Sequence, residues 1–246
     1  MTRLSEKEQE EQLSQLEKRL EAFSHIRQIS QPEIQCRHGT AALQMRTTIY
    51  KAVTTDYYQQ TLEQRRAQLS APSVYHLCKS MLMKNTKCKN KDCSDPNDSL
   101  YYLCTVQYMA KLDCQKIYRV VRTLANGLKK HFHFRLAPDS EQAVLTGYPH
   151  GGVTPFGMKT KIPLILDERV TKLKPAIFFV GGGDVATKVS ISVQEFIDIC
   201  HPIVADIANP RQDGYNGLGD DDEGDGDNDS DVEDQSVTPS PAPTSG

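Results

Sequence analysis

Short apolar segments alternate irregularly with amphipathic ones through the middle of the chain. The segments IPLILD at 162–167 and AIFFVGG at 176–182 are typical of buried strands. Amphipathic segments at 57–69 and 113–125 predict helices, the second beginning at Asp113 and ending before Gly127. Because the strands are short and the order is irregular, we expect a mixed α/β or α+β domain and not a doubly wound sheet.

The two ends of the chain differ in composition from this middle part. Residues 209–246 carry eleven acidic side chains and one basic side chain among Gly, Ser and Pro, which predicts a disordered acidic tail. Residues 1–30 predict a helix, because apolar residues recur at a spacing of three and four: Leu13, Leu16, Leu20 and Phe23. This apolar stripe could pack on the domain itself, form a coiled coil or bind a partner protein. It is too short for the sequence to distinguish these three alternatives. The chain therefore divides into a helix at 1–30, a domain at 31–208 and a tail at 209–246.

The net charge of −3 conceals a basic domain. Residues 30–208 carry 23 basic and 15 acidic side chains. A surplus of cations suits a polyanionic partner such as nucleic acid, through steering and counterion release. A merely solvated lysine surface has the same composition, so the charge alone leaves both interpretations open.

The sequence also carries information about compartment and metals. No run of eighteen apolar residues occurs, so we expect no membrane-spanning helix and no membrane partner. The polar N-terminus is unlike a signal peptide, and an odd number of cysteines, seven, suggests reduced thiols; both predict a cytoplasmic protein. Cys88 and Cys93 are separated by four residues and no CxxC pair occurs, so we expect no metal and no cofactor.

The segment LTGYPHGGVTPFGMK at 145–159 concentrates backbone-determining residues. Its glycines and prolines are Gly147, Gly151, Gly152, Gly157, Pro149 and Pro155. Turn chemistry explains each of them singly, but together they predict a rigid loop whose backbone another molecule can approach. Backbone N–H groups in such a loop would suit a ribose hydroxyl or a developing oxyanion. A second cluster at 181–184, GGGD, lacks the spacing of a phosphate-binding loop and by itself predicts a tight turn.

Lys79 lies in a predicted strand at 74–83, on the same face as Leu77, Met81 and Met83. A lysine on an apolar face needs a partner or pocket for its ammonium group, or else it extends to the rim. Cys78 is expected on the opposite face, which argues against a thiol nucleophile beside Lys79.

A series of segments resembles, in its order and spacing, the YbaK / prolyl-tRNA synthetase-associated editing domain family: CKSMLM, TGYPHGGVTPFGMK, IPLILDE, IFFVGGG and SVQEFI. The resemblance covers residues 57–207, and the loop NTKCKNKDCSD is similar to that of eukaryotic members, of the freestanding type. It implies a compact α/β fold with a curved, mostly antiparallel, barrel-like sheet and surrounding helices. It also implies hydrolysis of the ester in mischarged aminoacyl-tRNA.

The resemblance further implies roles for individual residues. The GxxxP loop of the family matches Gly151–Pro155, and its backbone would hold the 3′-terminal adenosine and position water at the ester carbonyl. Lys79 would neutralise the terminal phosphate or the developing negative charge. The implied catalytic residues are Lys79, Gly151, Gly152 and Pro155. The implied substrate-binding residues are Val153, Thr154, Gly157, Gly181, Gly182 and Gly183, the last three lining the amino-acid pocket.

Two positions depart from the family pattern. Thr187 and Lys188 stand where some alanine-editing relatives have a histidine near the pocket. The identity of the rejected amino acid therefore stays open.

These residues predict a trans-editing hydrolase that binds the 3′ CCA end of a mischarged aminoacyl-tRNA, of tRNAPro type and carrying a small amino acid. No serine–histidine or cysteine–histidine motif is recognisable, so we expect substrate-assisted hydrolysis in which a free ribose hydroxyl orients water. One alternative is a non-catalytic adaptor or tRNA-binding component of a synthetase complex, docked through the helix at 1–30. Another is a general RNA-binding module that stacks bases on aromatic residues such as Tyr57, Tyr58, Tyr101 and Tyr102.

Overall fold

The computed structural model describes residues 28–125, 132–212 and 214–218. The predicted helix at 1–30 therefore lies almost entirely outside the described residues, as does most of the predicted acidic tail. The predicted domain at 31–208 lies within them, apart from 126–131.

The described residues form five α-helices and ten strands. The helices are α1 Gln31–Ala42, α2 Leu62–Leu69, α3 Cys114–Leu124, α4 Asp139–Thr146 and α5 Val193–Cys200. The strands are β1 Ile49–Ala52, β2 Cys78–Asn85, β3 Tyr101–Gln107, β4 Ala110–Leu112, β5 Phe134–Leu136, β6 Leu164–Asp167, β7 Ile177–Gly181, β8 Thr187–Ser192, β9 Ile203–Ala205 and β10 Ala208–Pro210. The predicted mixed α/β class is confirmed, and none of the described helices could cross a membrane.

The strands form three sheets. The largest has the order β5-β2-β3-β6-β9; β2 pairs antiparallel with β5 and β3, whereas β6 pairs parallel with β3 and β9. A second, antiparallel sheet has the order β1-β8-β7, and β10 pairs with β4. A single bridge between Leu77 and Phe179 links the start of β2 to β7. The pairing is mostly antiparallel as expected, but in the part of the chain that the structure describes the strands form separate sheets, so the barrel-like arrangement is not confirmed.

Local sequence signals set several of the element ends. Thr61 forms a capping box with Gln64, so α2 begins at Leu62, five residues after Tyr57, and Tyr57–Gln59 is a separate turn of 3₁₀ helix. The predicted helix at 57–69 is thus shorter than expected. Asp113 caps α3 as predicted, because its carboxylate accepts from the Gln115 and Lys116 amides.

The chain continues to pack on the domain beyond residue 208. Strand β10 crosses the predicted start of the tail and pairs with β4. Further along, the carbonyl of Asn216 accepts from the Leu62 amide at 2.7 Å, and that of Gly217 accepts from the Arg65 guanidinium at 3.1 Å. Residues assigned to the tail by composition therefore help to hold α2 in place.

Helix α1 packs directly on the glycine-rich segments. A Cβ atom at Gly39 would overlap the backbone of Gly157, and one at Gly183 would overlap the carbonyl of Pro32. Gln35 adds two hydrogen bonds, from its amide nitrogen to the carbonyls of Thr146 and Gly157 at 2.9 and 2.7 Å. The position of the loop at 145–159 is therefore set by a helix more than a hundred residues away in sequence.

Replacing Gly39 by alanine tests this packing. On helix propensity alone, Gly39→Ala would stabilise α1 by about 0.5–1 kcal/mol. Because the added methyl group would overlap Gly157, we expect the free energy of unfolding to fall by about 1–3 kcal/mol in urea denaturation. The control is Ala41→Gly at an exposed position of the same helix, where propensity alone should cost about 0.5–1 kcal/mol. A Gly39→Ala protein as stable as the original would contradict the packing.

Candidate functional site

A cavity of about 270 Å³ opens where the glycine-rich loop meets the start of β2, the end of β7 and the Tyr57–Gln59 turn. Its walls are largely aromatic and aliphatic, with contributions from Tyr57, Tyr58, Tyr108 and Phe179. Two lysines, Lys79 from β2 and Lys188 from β8, also line it. The cavity thus combines an apolar wall with ammonium groups from two different sheets.

The sequence-predicted site residues divide into two groups. Four of them line the cavity: Lys79, Gly151, Val153 and Gly181. Six lie outside its lining: Gly152, Thr154, Pro155, Gly157, Gly182 and Gly183. The second group belongs to the same two glycine-rich segments as Gly151, Val153 and Gly181.

The glycine loop and the glycine turn pack backbone against backbone. A Cβ atom at Gly152 would lie 2.7 Å from the carbonyl oxygen of Gly183, and one at Gly181 would overlap the carbonyl of Val153. The Gly183 amide donates to the Gly152 carbonyl at 3.1 Å. The absence of side chains at these positions therefore serves the close approach of the two segments to each other.

Several amides of the loop and turn are engaged within the protein. The Gly152 amide donates to the Pro149 carbonyl at 3.0 Å, and the Gly182 amide donates to the Thr187 carbonyl at 2.9 Å. The Gly152 N–H of the loop is therefore not an open donor, and the hydrogen bonds of Gly182 and Gly183 suit the tight turn that GGGD predicts. Gly151 and Val153 of the loop and Gly181 of the turn are the residues of these two segments that line the cavity.

The remaining predicted residues of the loop lie on the side that packs against α1. Thr154 and Pro155 are buried, and the Thr154 hydroxyl accepts a weak bond from the Cys36 thiol of α1 at 4.0 Å. Gly157 has a φ of 65°, which favours glycine, and lies against α1. These residues fix the shape of the loop.

Lys79 lies beside the aromatic wall. Its ammonium nitrogen is 5.6 Å from the centroid of the Tyr108 ring, within the range of a cation–π contact. Its neighbour Cys78 is 3% exposed, and burial raises the pKa of the Cys78 thiol well above its ordinary value. Cys78 also lines the cavity, but a thiol held in its neutral form is a poor nucleophile.

Lys188 is a second cation that sequence reasoning did not place in the site. It is 4% exposed, and its ammonium group donates to the Tyr58 hydroxyl at 2.9 Å and to the Val185 carbonyl at 3.2 Å. The rings of Tyr58 and Tyr57 lie 4.6 and 5.0 Å from it. Lys79 stands out in the sequence because it is a lysine in an apolar strand. Lys188, in the predicted strand KVSIS, has the same feature.

The aromatic wall is held by a buried arginine. The guanidinium carbon of Arg65 lies 5.4–5.5 Å from the ring centroids of Tyr57, Tyr58 and Tyr108, and its nitrogens donate to the carbonyls of Tyr57 and Tyr58. Burial raises the pKa of the Tyr57 and Tyr108 phenols, and neighbouring phenols add to the effect. Both phenols therefore stay protonated at neutral pH.

The four tyrosines considered for base stacking are separated by the fold. Tyr57 and Tyr58 line the cavity, with their rings in an edge-to-face contact at 5.4 Å. Tyr101 and Tyr102 lie elsewhere, where their hydroxyls donate to Glu141 at 2.7 Å and to the Pro96 carbonyl at 2.9 Å. Only the first pair can face a ligand in the cavity.

The rim carries the acidic group of the site. The Asp139 carboxylate lies 3.2 Å from Nδ1 of His150, where it can accept a hydrogen bond. Both side chains are exposed. Within the described ranges, no group of three or more His, Cys, Asp or Glu side chains is arranged to hold a metal ion. With two ammonium groups in its wall and one carboxylate at its rim, the cavity suits an anionic or electron-rich ligand.

Comparisons with known proteins agree with this geometry. The model of the aminoacyl-tRNA editing domain family matches residues 59–199. No curated protein matches the sequence.

Solved structures show the same fold. One is a proposed trans-editing enzyme for prolyl tRNA synthetase, 20% identical, with a TM-score of 0.60 over 74% of this chain and 99% of that one. A second, from the computational grafting of epitopes onto scaffold proteins, is 19% identical, with a TM-score of 0.58 and the same coverage. A third, a hypothetical protein, is 20% identical, with a TM-score of 0.55 over 71% of this chain and 99% of that one.

The family match contains Lys79, the glycine loop, the glycine turn and Lys188, which are the segments that meet at the cavity. Because it also covers more than half of the sequence, the chain belongs to the aminoacyl-tRNA editing domain family, and its function is an editing function directed at aminoacyl-tRNA.

Proposed function

We propose that the protein is a trans-acting deacylase that hydrolyses the ester of a mischarged aminoacyl-tRNA, of tRNAPro type and carrying a small amino acid. The observation that carries this proposal is the cavity that Lys79, Gly151 and Val153 line together. Its volume, about 270 Å³, is just below the roughly 300–1,000 Å³ of common ligand pockets.

The walls of the cavity match the parts of an aminoacyl-tRNA terminus. The rings of Tyr57, Tyr58 and Tyr108 offer apolar faces on which the terminal adenine can stack. The Lys79 ammonium group supplies positive charge for the terminal phosphate or for the oxyanion that develops on the ester carbonyl. Gly151 and Val153 line the same cavity and would limit how the acyl group can be placed.

The reaction needs no side-chain nucleophile. Water attacks the ester carbonyl carbon, negative charge develops on the carbonyl oxygen, and the bond to the ribose oxygen breaks as that oxygen takes a proton. The neighbouring ribose hydroxyl orients the water, which makes the hydrolysis substrate-assisted. For a well-placed nucleophile, correct placement can supply about 7–11 kcal/mol of barrier reduction, and a single oxyanion donor is typically worth about 3–4 kcal/mol.

The proposal places this reaction in the cytoplasm. All seven cysteines are free thiols, and four of them lie partly exposed, which suits a reducing compartment.

The substrate is tested with a panel of charged tRNAs. We expect the full-length protein to release the amino acid from tRNAPro or tRNAAla charged with at least one of alanine, cysteine, serine and threonine. Correctly charged Pro-tRNAPro is the control and should be spared. Stable binding of all these tRNAs without loss of any ester would contradict the deacylase and favour the adaptor.

Lys79 is tested by Lys79→Met, which keeps the length and apolar stem of the side chain. Loss of one electrostatic partner of the developing charge should lower the single-turnover rate of deacylation about 100- to 1,000-fold. The matched control is Lys172→Met, since Lys172 is 67% exposed and lies outside the cavity lining. Equal rates in the Lys79→Met and Lys172→Met proteins, both folded by circular dichroism, would remove the role assigned to Lys79.

Cys78 is tested by Cys78→Ala. Because burial holds its thiol in the neutral form, we expect the alanine variant to deacylate within about threefold of the original rate. A covalent thiol mechanism would instead lose activity by several orders of magnitude. Thermal unfolding of the variant separates a loss of packing from a loss of chemistry.

A further inference from the structure

We propose that Lys188 is a positioning residue of the editing site, which acts through the Tyr58 hydroxyl on the carbonyl of Gly151 and so fixes the orientation of the glycine loop. This inference rests on the proposed function, because it assigns Lys188 to the site of that reaction. It concerns a residue that departs from the family pattern and that the resemblance left without a role.

The direction of each hydrogen bond in this chain of contacts is determined. An ammonium group has donors only, so the Tyr58 hydroxyl accepts from Lys188 at 2.9 Å. The hydroxyl proton is then available to Gly151, whose carbonyl accepts it. The Lys188 nitrogen also lies 3.5 Å from the same carbonyl, so both groups are aimed at one oxygen atom.

The peptide group between Gly151 and Gly152 is held at both edges. Its carbonyl is bound by Tyr58, and its N–H donates to the Pro149 carbonyl at 3.0 Å. Gly151 also lies against the Tyr58 ring, since a Cβ atom there would be 3.1 Å from it. A rotation of this peptide group, which borders the cavity, would break both hydrogen bonds.

A role in packing alone does not explain why residue 188 carries a positive charge. Its hydrogen-bond partners are a hydroxyl and carbonyls, and within the described residues it forms no ion pair with a carboxylate. Burying an ammonium group without a counter-ion is costly, and a methionine could fill the same space without that cost. The rings of Tyr57 and Tyr58 recover part of the cost through cation–π contacts.

The ammonium group has a defined effect on its neighbour. A hydroxyl that accepts a bond from a cation becomes a stronger donor to its own acceptor. Lys188 therefore strengthens the bond from Tyr58 to Gly151, and the positive charge acts on the loop without needing to touch the reacting atoms.

A double-mutant cycle tests this inference on the full-length chain. The variants are Lys188→Met, Tyr58→Phe and the combination, assayed with whichever charged tRNA the original protein hydrolyses. If Lys188 acts through Tyr58, each single variant should lower kcat about 10- to 100-fold with KM changed less than about threefold. The double variant should then be no slower than the slower single variant. Multiplied rate losses in the double variant would overturn the inference.

Two further variants separate positioning from packing. Lys188→Arg keeps the charge and the donors and should recover at least part of kcat. Lys51→Met is the matched control, because Lys51 is the register partner of Lys188 on β1 and also lies over an aromatic ring, but it is outside the cavity lining. It should deacylate within about threefold of the original rate. A loss in Lys51→Met equal to that in Lys188→Met would show that general packing of this sheet is responsible.

Hydrogen exchange distinguishes failure of this inference from failure of the proposed function. In Lys188→Met and in Tyr58→Phe, the amides of the loop at 151–153 should exchange faster, while those of α5 are unchanged. If the protein deacylates no tRNA but the loop responds in this way, the proposed function fails and Lys188 still positions the loop. Unchanged exchange in both variants would overturn the inference whatever the activity.

Discussion

The direct packing of one glycine segment on another sets the geometry of this site. Gly152 and Gly181 allow the loop and the turn to approach until backbone touches backbone, and side chains at either position would separate them. Helix α1 closes the arrangement from behind, where Gly183 lies against Pro32. This contact is made by backbone atoms, so it does not depend on the ordering of side-chain rotamers. The two segments can therefore hold this part of the cavity wall in place without a ligand.

Sequence reasoning named four residues of the cavity lining because some of the signals are local. A cluster of glycines and prolines after a helix, and a lysine in an apolar strand, can be recognised without knowing what lies beside them. The same is true of the buried strands at 162–167 and 176–182, which the structure confirms in β6 and β7. Capping boxes are also local, but the one at Thr61 was overlooked, and α2 was therefore predicted to begin too early.

Other parts of the site depend on contacts between distant segments. Tyr58 meets Gly151 across 93 residues, and Lys188 meets Tyr58 across 130. Nothing in the spacing of these residues predicts which tyrosine reaches the loop. The loop amides illustrate the same limit: whether the Gly152 N–H faces a ligand or Pro149 depends on a peptide orientation that composition does not encode. Likewise, Ala208–Pro210 becomes a strand because β4 offers its backbone as a partner.

The weakly acidic side chains of the cavity wall add no negative charge that would offset the two lysines. Burial raises the pKa of Cys78, Tyr57 and Tyr108, so these weakly acidic groups remain neutral near pH 7. Among the described residues of the lining, charge at that pH is then concentrated in Lys79, Lys188 and the exposed rim carboxylate of Asp139. Positive charges fixed in an apolar wall act on a developing oxyanion more strongly than they would in water, and they need no rearrangement when the reaction begins. An aminoacyl ester is already activated toward attack by water, so a site of this kind can accelerate its hydrolysis by placement and charge.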